Sequence, residues 1–313
     1  MKLLTVGIGR EGVEITEIFA RRGARVNNAP LFKCHAISND VGLIKSAKAI
    51  PDKNRYYVVY RNGEVDLTSA LNSMLSRYEI FEGSMLAFAL DDDFAFQTAM
   101  EMADELKDVT EEPVMALVTI PTLDEADFRE MGMRLRNASK KFDVPIIFER
   151  RDNYRNYVLE SLNTIALVGE IDLKKRRAGE VVVDTSDVFN AIRKRGLAVL
   201  GMSRQKLQHH LIRRIVYRRE SELKAIRTKR MVDMVDESLS SLSVNCDVTT
   251  AKGALLVFSG EPEEITMDGL FACISRIERV NPDIEIRYGD YPVPGSNSIA
   301  SIVIFSGITK LVV

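Results

Sequence analysis

The sequence predicts an α/β protein in two parts: an amino-terminal domain on a mostly parallel sheet, ending in a central helix, and a smaller α+β carboxy-terminal domain. Three observations carry this. Short apolar runs alternate with helix-period segments through the first half, the pattern of a parallel sheet covered on both faces. The rhythm changes after Gly169, at the basic segment DLKKRRAGE. A length of 313 residues suffices for two domains, each with its own core. The boundaries are set at 1–170 and 171–313.

In order, LLTVGI is a strand followed by the helical EGVEITEIFARRG; HAIS is a strand followed by a turn region; MLAFAL precedes the helix FAFQTAMEMADELK. PVMALVTI is followed by a helix around 125–142, in which Phe128, Met131, Leu135, Ala138 and Phe142 recur at spacings of 3 and 4 and share one face. PIIFE then leads into the central helix YVLESLNTIALVGEI. In the second half DTSDVFNAIRKRG is a helix with Asp184 or Ser186 as its cap and Gly196 at its end. GLAVLGM is a strand, residues 204–242 form a long helical stretch, and GALLVFSG, EIRYGDY and SIASIVIFSGI are strands, with the helix MDGLFACISRIERV between the first two.

The totals exclude several classes. The 43 Lys+Arg nearly balance 45 Asp+Glu, so whole-chain charge gives no case for nucleic acid or membrane. No apolar run reaches the roughly 18 to 20 residues that cross a bilayer, and a cytoplasmic location is expected. Cys34, Cys246 and Cys273 form no CxxC pair, and with only His35, His209 and His210 beside them they support neither a disulfide framework nor a zinc site. Cys34 and His35 are adjacent on a strand and point to opposite faces.

Gly7, Gly9 and Gly12 lie in TVGIGREGV, between the first strand and the first helix. Such a turn lets backbone approach an anion closely, with free amides at the helix start aimed at it. A ribose-holding acid about 20 residues on would complete a dinucleotide site; here Asp40 comes later than that. The competing reading is a tight turn that needs small residues and nothing else.

Several strings, in order, resemble the FtsZ/tubulin superfamily. VGIGREG is similar to its first glycine loop, AISND (Ala36 to Asp40) to its "AINTD" loop, and LVTIPT to its "VVTKPF" segment. VVVDTSDVFNAIRKRGLAVLGMS, residues 181–203, resembles the loop and helix that enter the neighbouring subunit's nucleotide site, and AKGALLVFSGEPEEITMDG onward resembles the FtsZ carboxy-terminal domain. The resemblance implies a tubulin/FtsZ-like fold. It also places GTP or GDP near Gly7, Gly9, Gly12, Asn39 and Asp40, and gives Asp184 and Asp187 the role of two carboxylates that orient water on the next subunit's GTP. Val182 stands where the family has Asn. Capping of the following helix accounts for the same two acids.

The family's defining "GGGTGTG" loop is replaced by DDDFAFQTA, so Asp91, Asp92 and Asp93 stand where glycine amides meet phosphate. Carboxylates at a helix start satisfy its amides and repel a second anion. As an alternative, Asp91, Asp92 and Asp93 hold Mg²⁺ that bridges to phosphate oxygens. The third phosphate loop has shrunk to YRNGE, the ribose segment is represented at best by RRDN, and the guanine-reading acid falls at Glu160 or Ser161.

Residues 204–230 carry ten Lys or Arg against two acids, beside an apolar stripe of Leu207, Leu211, Ile212, Ile215 and Val216. This basic helix suits an acidic partner or a membrane surface, or simply covers its own sheet. Nucleic acid is disfavoured, since only Tyr217 is available for stacking. With Val313 following the last strand, an FtsZ-type tail for recruiting membrane anchors is not expected.

The expected function is that of a non-standard FtsZ-like cytoskeletal or cell-division protein. It would be a structural or regulatory subunit that assembles with itself or docks on an FtsZ-type filament, a pseudo-GTPase with a degenerate site, no cofactor, and weak or absent hydrolysis. The alternative is a working GTPase that polymerises on GTP with Mg²⁺. A third reading is a pocket kept for a less anionic small molecule.

Overall fold

A computed structural model of the chain describes residues 1–61, 64–75, 80–122, 128–168, 185–207 and 220–312. They fall into two compact units, one of Met1–Asn163 with Arg195–Leu197, the other of the described parts of Thr164–Lys194 and Ala198–Val312.

The main sheet of the first unit is made, among the described residues, of six strands: β1 (Leu3–Ile8), β2 (Phe32–Ser38), β3 (Arg55–Tyr57), β4 (Gly83–Ala89), β5 (Val114–Ile120) and β6 (Val144–Glu149). Their spatial order is β3-β2-β1-β4-β5-β6, and every neighbouring pair is parallel. The helices are α1 (Gly9–Arg22), α2 (Val41–Ser46), α3 (Thr68–Leu75), α4 (Asp93–Val109), α5 (Phe128–Lys141) and α6 (Tyr154–Leu167). β1, β4 and β5 are buried along their whole length, which is why they read as unbroken apolar runs rather than as alternating ones. On α5, Met131, Leu135, Ala138 and Phe142 beyond its end are all buried, as their spacing predicts. The order reverses between β1 and β4. In an open parallel sheet, ligands bind beyond the carboxyl ends of the strands at such a reversal.

The second unit holds β7 (Leu197–Lys206), β8 (Gly253–Gly260), β9 (Glu285–Pro292) and β10 (Ser298–Ile308), in the order β9-β8-β10-β7. β8 is parallel to β9 and antiparallel to β10. Among the described residues, the α-helices that accompany them are α7 (Thr185–Ile192), α8 (Glu220–Ser240) and α9 (Met267–Val280). α8 lies against β10 and β7. The hydroxyls of Ser238 and Ser301 meet at 2.8 Å, and a Cβ on Gly201 would sit 2.1 Å from the Ser238 carbonyl. Buried Glu264, ahead of α9, is held by Arg227 and Arg230 of α8.

The structure corrects three expectations. The stretch 204–242 is not one helix: Arg204 and Lys206 continue β7, and helix begins at Glu220. Sheet pairing continues the buried run LAVLGM outward and overrides the helical propensity of the basic residues after it. Residues 208–219, with most of the apolar stripe, lie outside the described residues. The turn region after HAIS contains α2 and α3. Ser186 is inside α7 rather than at its cap, and Asp184 and the DLKKRRAGE segment lie outside the described residues.

Candidate functional site

The three glycines divide between packing and turn. A Cβ on Gly12 would lie 1.9 Å from the Ala87 carbonyl of β4, and one on Gly7 would lie 2.2 Å from the Gly12 carbonyl. Both residues therefore let α1 settle hard against the sheet. Gly9 has φ +69°, a conformation that favours glycine, and opens α1 directly beneath the loop that follows β4.

That loop supplies its own anion. Asp92 is the N-cap of α4, its Oδ1 accepting from the Ala95 amide at 3.0 Å. Its Oδ2 faces Gly9, where a Cβ would come within 2.7 Å of it. One carboxylate thus stands between the starts of α1 and α4, at the β1/β4 reversal, where a phosphate would meet both helix dipoles.

Its neighbours turn elsewhere. Asp91 pairs with Arg150, the first residue after β6. Asp93 pairs with Arg134 of α5 at 2.5 Å, and Arg134 also donates to the Leu90 carbonyl at 2.9 Å. The structure therefore does not bring Asp91, Asp92 and Asp93 together as a metal shell, and among the described residues no group of three or more His, Cys, Asp or Glu is placed to hold an ion.

The rest of the rim repeats this pattern. Asp40 caps α2, accepting from the amides of Gly42 at 2.7 Å and Leu43 at 3.2 Å, and pairs with Arg10 at 3.5 Å. Asn39 beside it is exposed. Glu11 takes a bidentate pair from Arg155, at 2.7 and 2.9 Å, and a hydrogen bond from the Tyr154 hydroxyl. The hydrogen bond to Glu11 is the main cause of the Arg155 guanidinium's raised pKa, with Glu14 at 2.6 Å adding to it. Ser161, one candidate for base reading, is buried and gives its hydroxyl to the Tyr157 and Val158 carbonyls of its own helix.

Two like charges about 4 Å apart repel by roughly 1 kcal/mol in bulk water and by roughly 4 kcal/mol at an effective dielectric of 20. A nucleotide's phosphates, set between Asp92 and Gly9, would face that repulsion and find the nearby arginines already engaged by acids. As arranged, the Asp92 carboxylate lies beside Gly9, and Arg150, Arg134 and Arg155 are each paired with an acid.

Sequence reasoning missed the partners rather than the loops. Arg134, Arg155 and Tyr154 belong to no quoted motif, and Glu11, inside VGIGREG, was given no role there; only their pairing in the fold makes them part of the rim. Asp187 lies in the first turn of α7, 3.3 Å from Arg287 of β9.

The six-stranded order with its glycine turn at the reversal, and the mixed four-stranded sheet of the second unit, are those of the FtsZ/tubulin-like fold. The family described as tubulin-like CetZ, C-terminal domain, matches residues 152–312, just over half of the chain, and the chain belongs to it. Tubulin-like protein CetZ1 of Haloferax volcanii is 23% identical, over 99% of this chain and 89% of its own. The structure titled CetZ1 from Haloferax volcanii, GDP bound monomer, superposes with a TM-score of 0.77 at 20% identity, covering 99% of this chain and 95% of that one. CetZ2 of the same organism, as a GTPgS bound protofilament, gives 0.76 at 19%, covering 99% and 94%. An empty FtsZ dimer of M. jannaschii gives 0.69 at 15%, covering 98% and 88%. Among the described residues no helix is long and apolar enough to cross a membrane.

Proposed function

We propose that the chain is an assembling, tubulin-type cytoskeletal subunit that fills its own phosphate place and joins filaments without turning over GTP. The observation that carries this reading is the position of Asp92, which caps α4 and faces Gly9 at the spot where an anion is needed. A carboxylate built into the chain supplies the negative charge that both helix starts favour. Assembly would then depend on subunit surfaces alone. The titles of two solved relatives, a GTPgS bound protofilament and a TubZ four-stranded filament, support assembly as the role of the fold. Asp187, at the start of α7, is the carboxylate that such a subunit would present to a neighbour, together with Asp184.

A second reading has an observation behind it. Two CetZ relatives are titled as bound to GDP and to GTPgS, which favours nucleotide binding here too. For this chain it requires Asp92 to swing away from Gly9 or to acquire a metal together with Asp91 and Asp93. Sedimentation of the purified protein with and without GTP, and with an FtsZ of the ordinary GTP-binding kind added, tests the role. Sedimentation alone or with FtsZ, independent of GTP, supports the first reading. Sedimentation that requires GTP supports the second, and none under any condition overturns both.

A further inference from the structure

The second face of the first unit that the phosphate edge does not use is a groove of about 450 Å³ between α3 and α4. Its floor is apolar: Leu71 is buried, whereas Leu75 and Val109 remain 37% and 57% exposed. Its rim is acidic, from Asp66 ahead of α3 and from Asp104 and Glu105 on α4, with Lys141 paired to Asp104.

The segment QHHLIRRIVYRR, residues 208–219, has the complementary character. It carries four Arg, no acid, and the apolar Leu211, Ile212, Ile215 and Val216. We propose that the α3/α4 groove receives this segment from a second copy of the chain, apolar side chains on the floor and arginines against Asp66, Asp104 and Glu105. The proposal rests on the assembly reading above, which is what supplies a second copy. Charge complementarity of this kind sets register and rejects wrong partners, and it weakens as salt rises.

The test uses two full-length variants, Asp66→Lys with Glu105→Lys in the groove and Arg213→Glu with Arg214→Glu in the segment, read by sedimentation and by melting temperature. Val109→Lys, which alters the floor without touching an acid, is the second groove variant. Each is expected to melt like the parent and to need at least about tenfold more protein to assemble, the effect of losing a close interfacial charge pair. Mixing the two charge-reversed proteins should restore association between them. Variants that assemble like the parent, or a mixture that does not recover, overturn the proposal while leaving self-assembly standing. Recovery only when all four changes sit in one chain shows a contact within that chain, which overturns the second-copy assignment. A parent that never assembles overturns the assembly reading and this one with it.

Discussion

The carboxylate of Asp92 lies between the starts of two helices: its Oδ1 accepts from the Ala95 amide of α4 at 3.0 Å, and a Cβ on Gly9 of α1 would come within 2.7 Å of its Oδ2. As an N-cap alone it contributes about 1 kcal/mol. Asp92→Ala is therefore expected to lower stability by about that amount in a denaturant titration. Asp92→Asn, which keeps the acceptor and loses the charge, is expected to cost less.

Replacing Asp91, Asp92 and Asp93 together by glycine removes the built-in anion and the two flanking pairs with Arg150 and Arg134. The expected outcome is a folded protein with higher affinity for GDP, measured by fluorescence of a labelled nucleotide. A triple variant with affinity lower than the parent's would mean that the acids hold the ligand through a metal.

Gly12→Ala drives a methyl group into the Ala87 carbonyl, with 1.9 Å available. Backbone cannot yield as a flexible side chain does, so a loss of about 3 kcal/mol is expected, at the upper end for overpacking. Thermal unfolding of this variant checks it, and a change within about 0.5 kcal/mol would mean that α1 does not lie as close to β4 as described.

How much of this was legible in the sequence differs by level. Strands β1, β2, β4 to β8 and β10 are visible as apolar runs, because central strands of such sheets have no polar face to interrupt them, whereas β9, EIRYGDYP at the edge, is half exposed. Short β3 was not visible, since three residues carry no period. α9 coincides with MDGLFACISRIERV, the stretch read as a helix, and the structure adds Thr266 as its cap. The 204–242 reading holds over Glu220–Ser240 and fails at its start, where Arg204 to Lys206 continue a strand that only tertiary pairing defines. Within the candidate site, Asp91 to Asp93 were found as a departure from a motif. Arg134 and Arg155 reach them or Glu11 from 41 and 144 residues away, and no local signal encodes such a pairing.

In the second unit Glu264 is 2% exposed and held by two arginines of α8. Glu264→Gln keeps the shape and removes the charge, leaving the arginines to be resolvated. A loss of about 3 kcal/mol is expected, the scale for breaking one side of a buried pair. Equilibrium unfolding checks it, with Glu263→Gln, on the exposed neighbour, as the mild control.

The thiols should be inert near neutrality. Burial pushes Cys34 and Cys273 up to about 12, and burial with nearby Asp247 pushes Cys246 to about 11. The thiolate is the reactive species. Alkylation of native protein at pH 8 is therefore expected to be far slower than after unfolding, with Cys246, the half-exposed one, first to react as pH rises. Rapid modification of Cys34 in the native state would contradict its placement within β2.

The central claim, that the chain occupies its own phosphate place, is tested most directly by calorimetric titration of the intact protein with GTP and GDP, with and without Mg²⁺. The account predicts no binding at millimolar nucleotide, a limit of about 4 kcal/mol, in either condition. Micromolar or tighter binding, about 8 kcal/mol or more, would contradict it and make Asp92 a residue that gives way to, or holds, the phosphates.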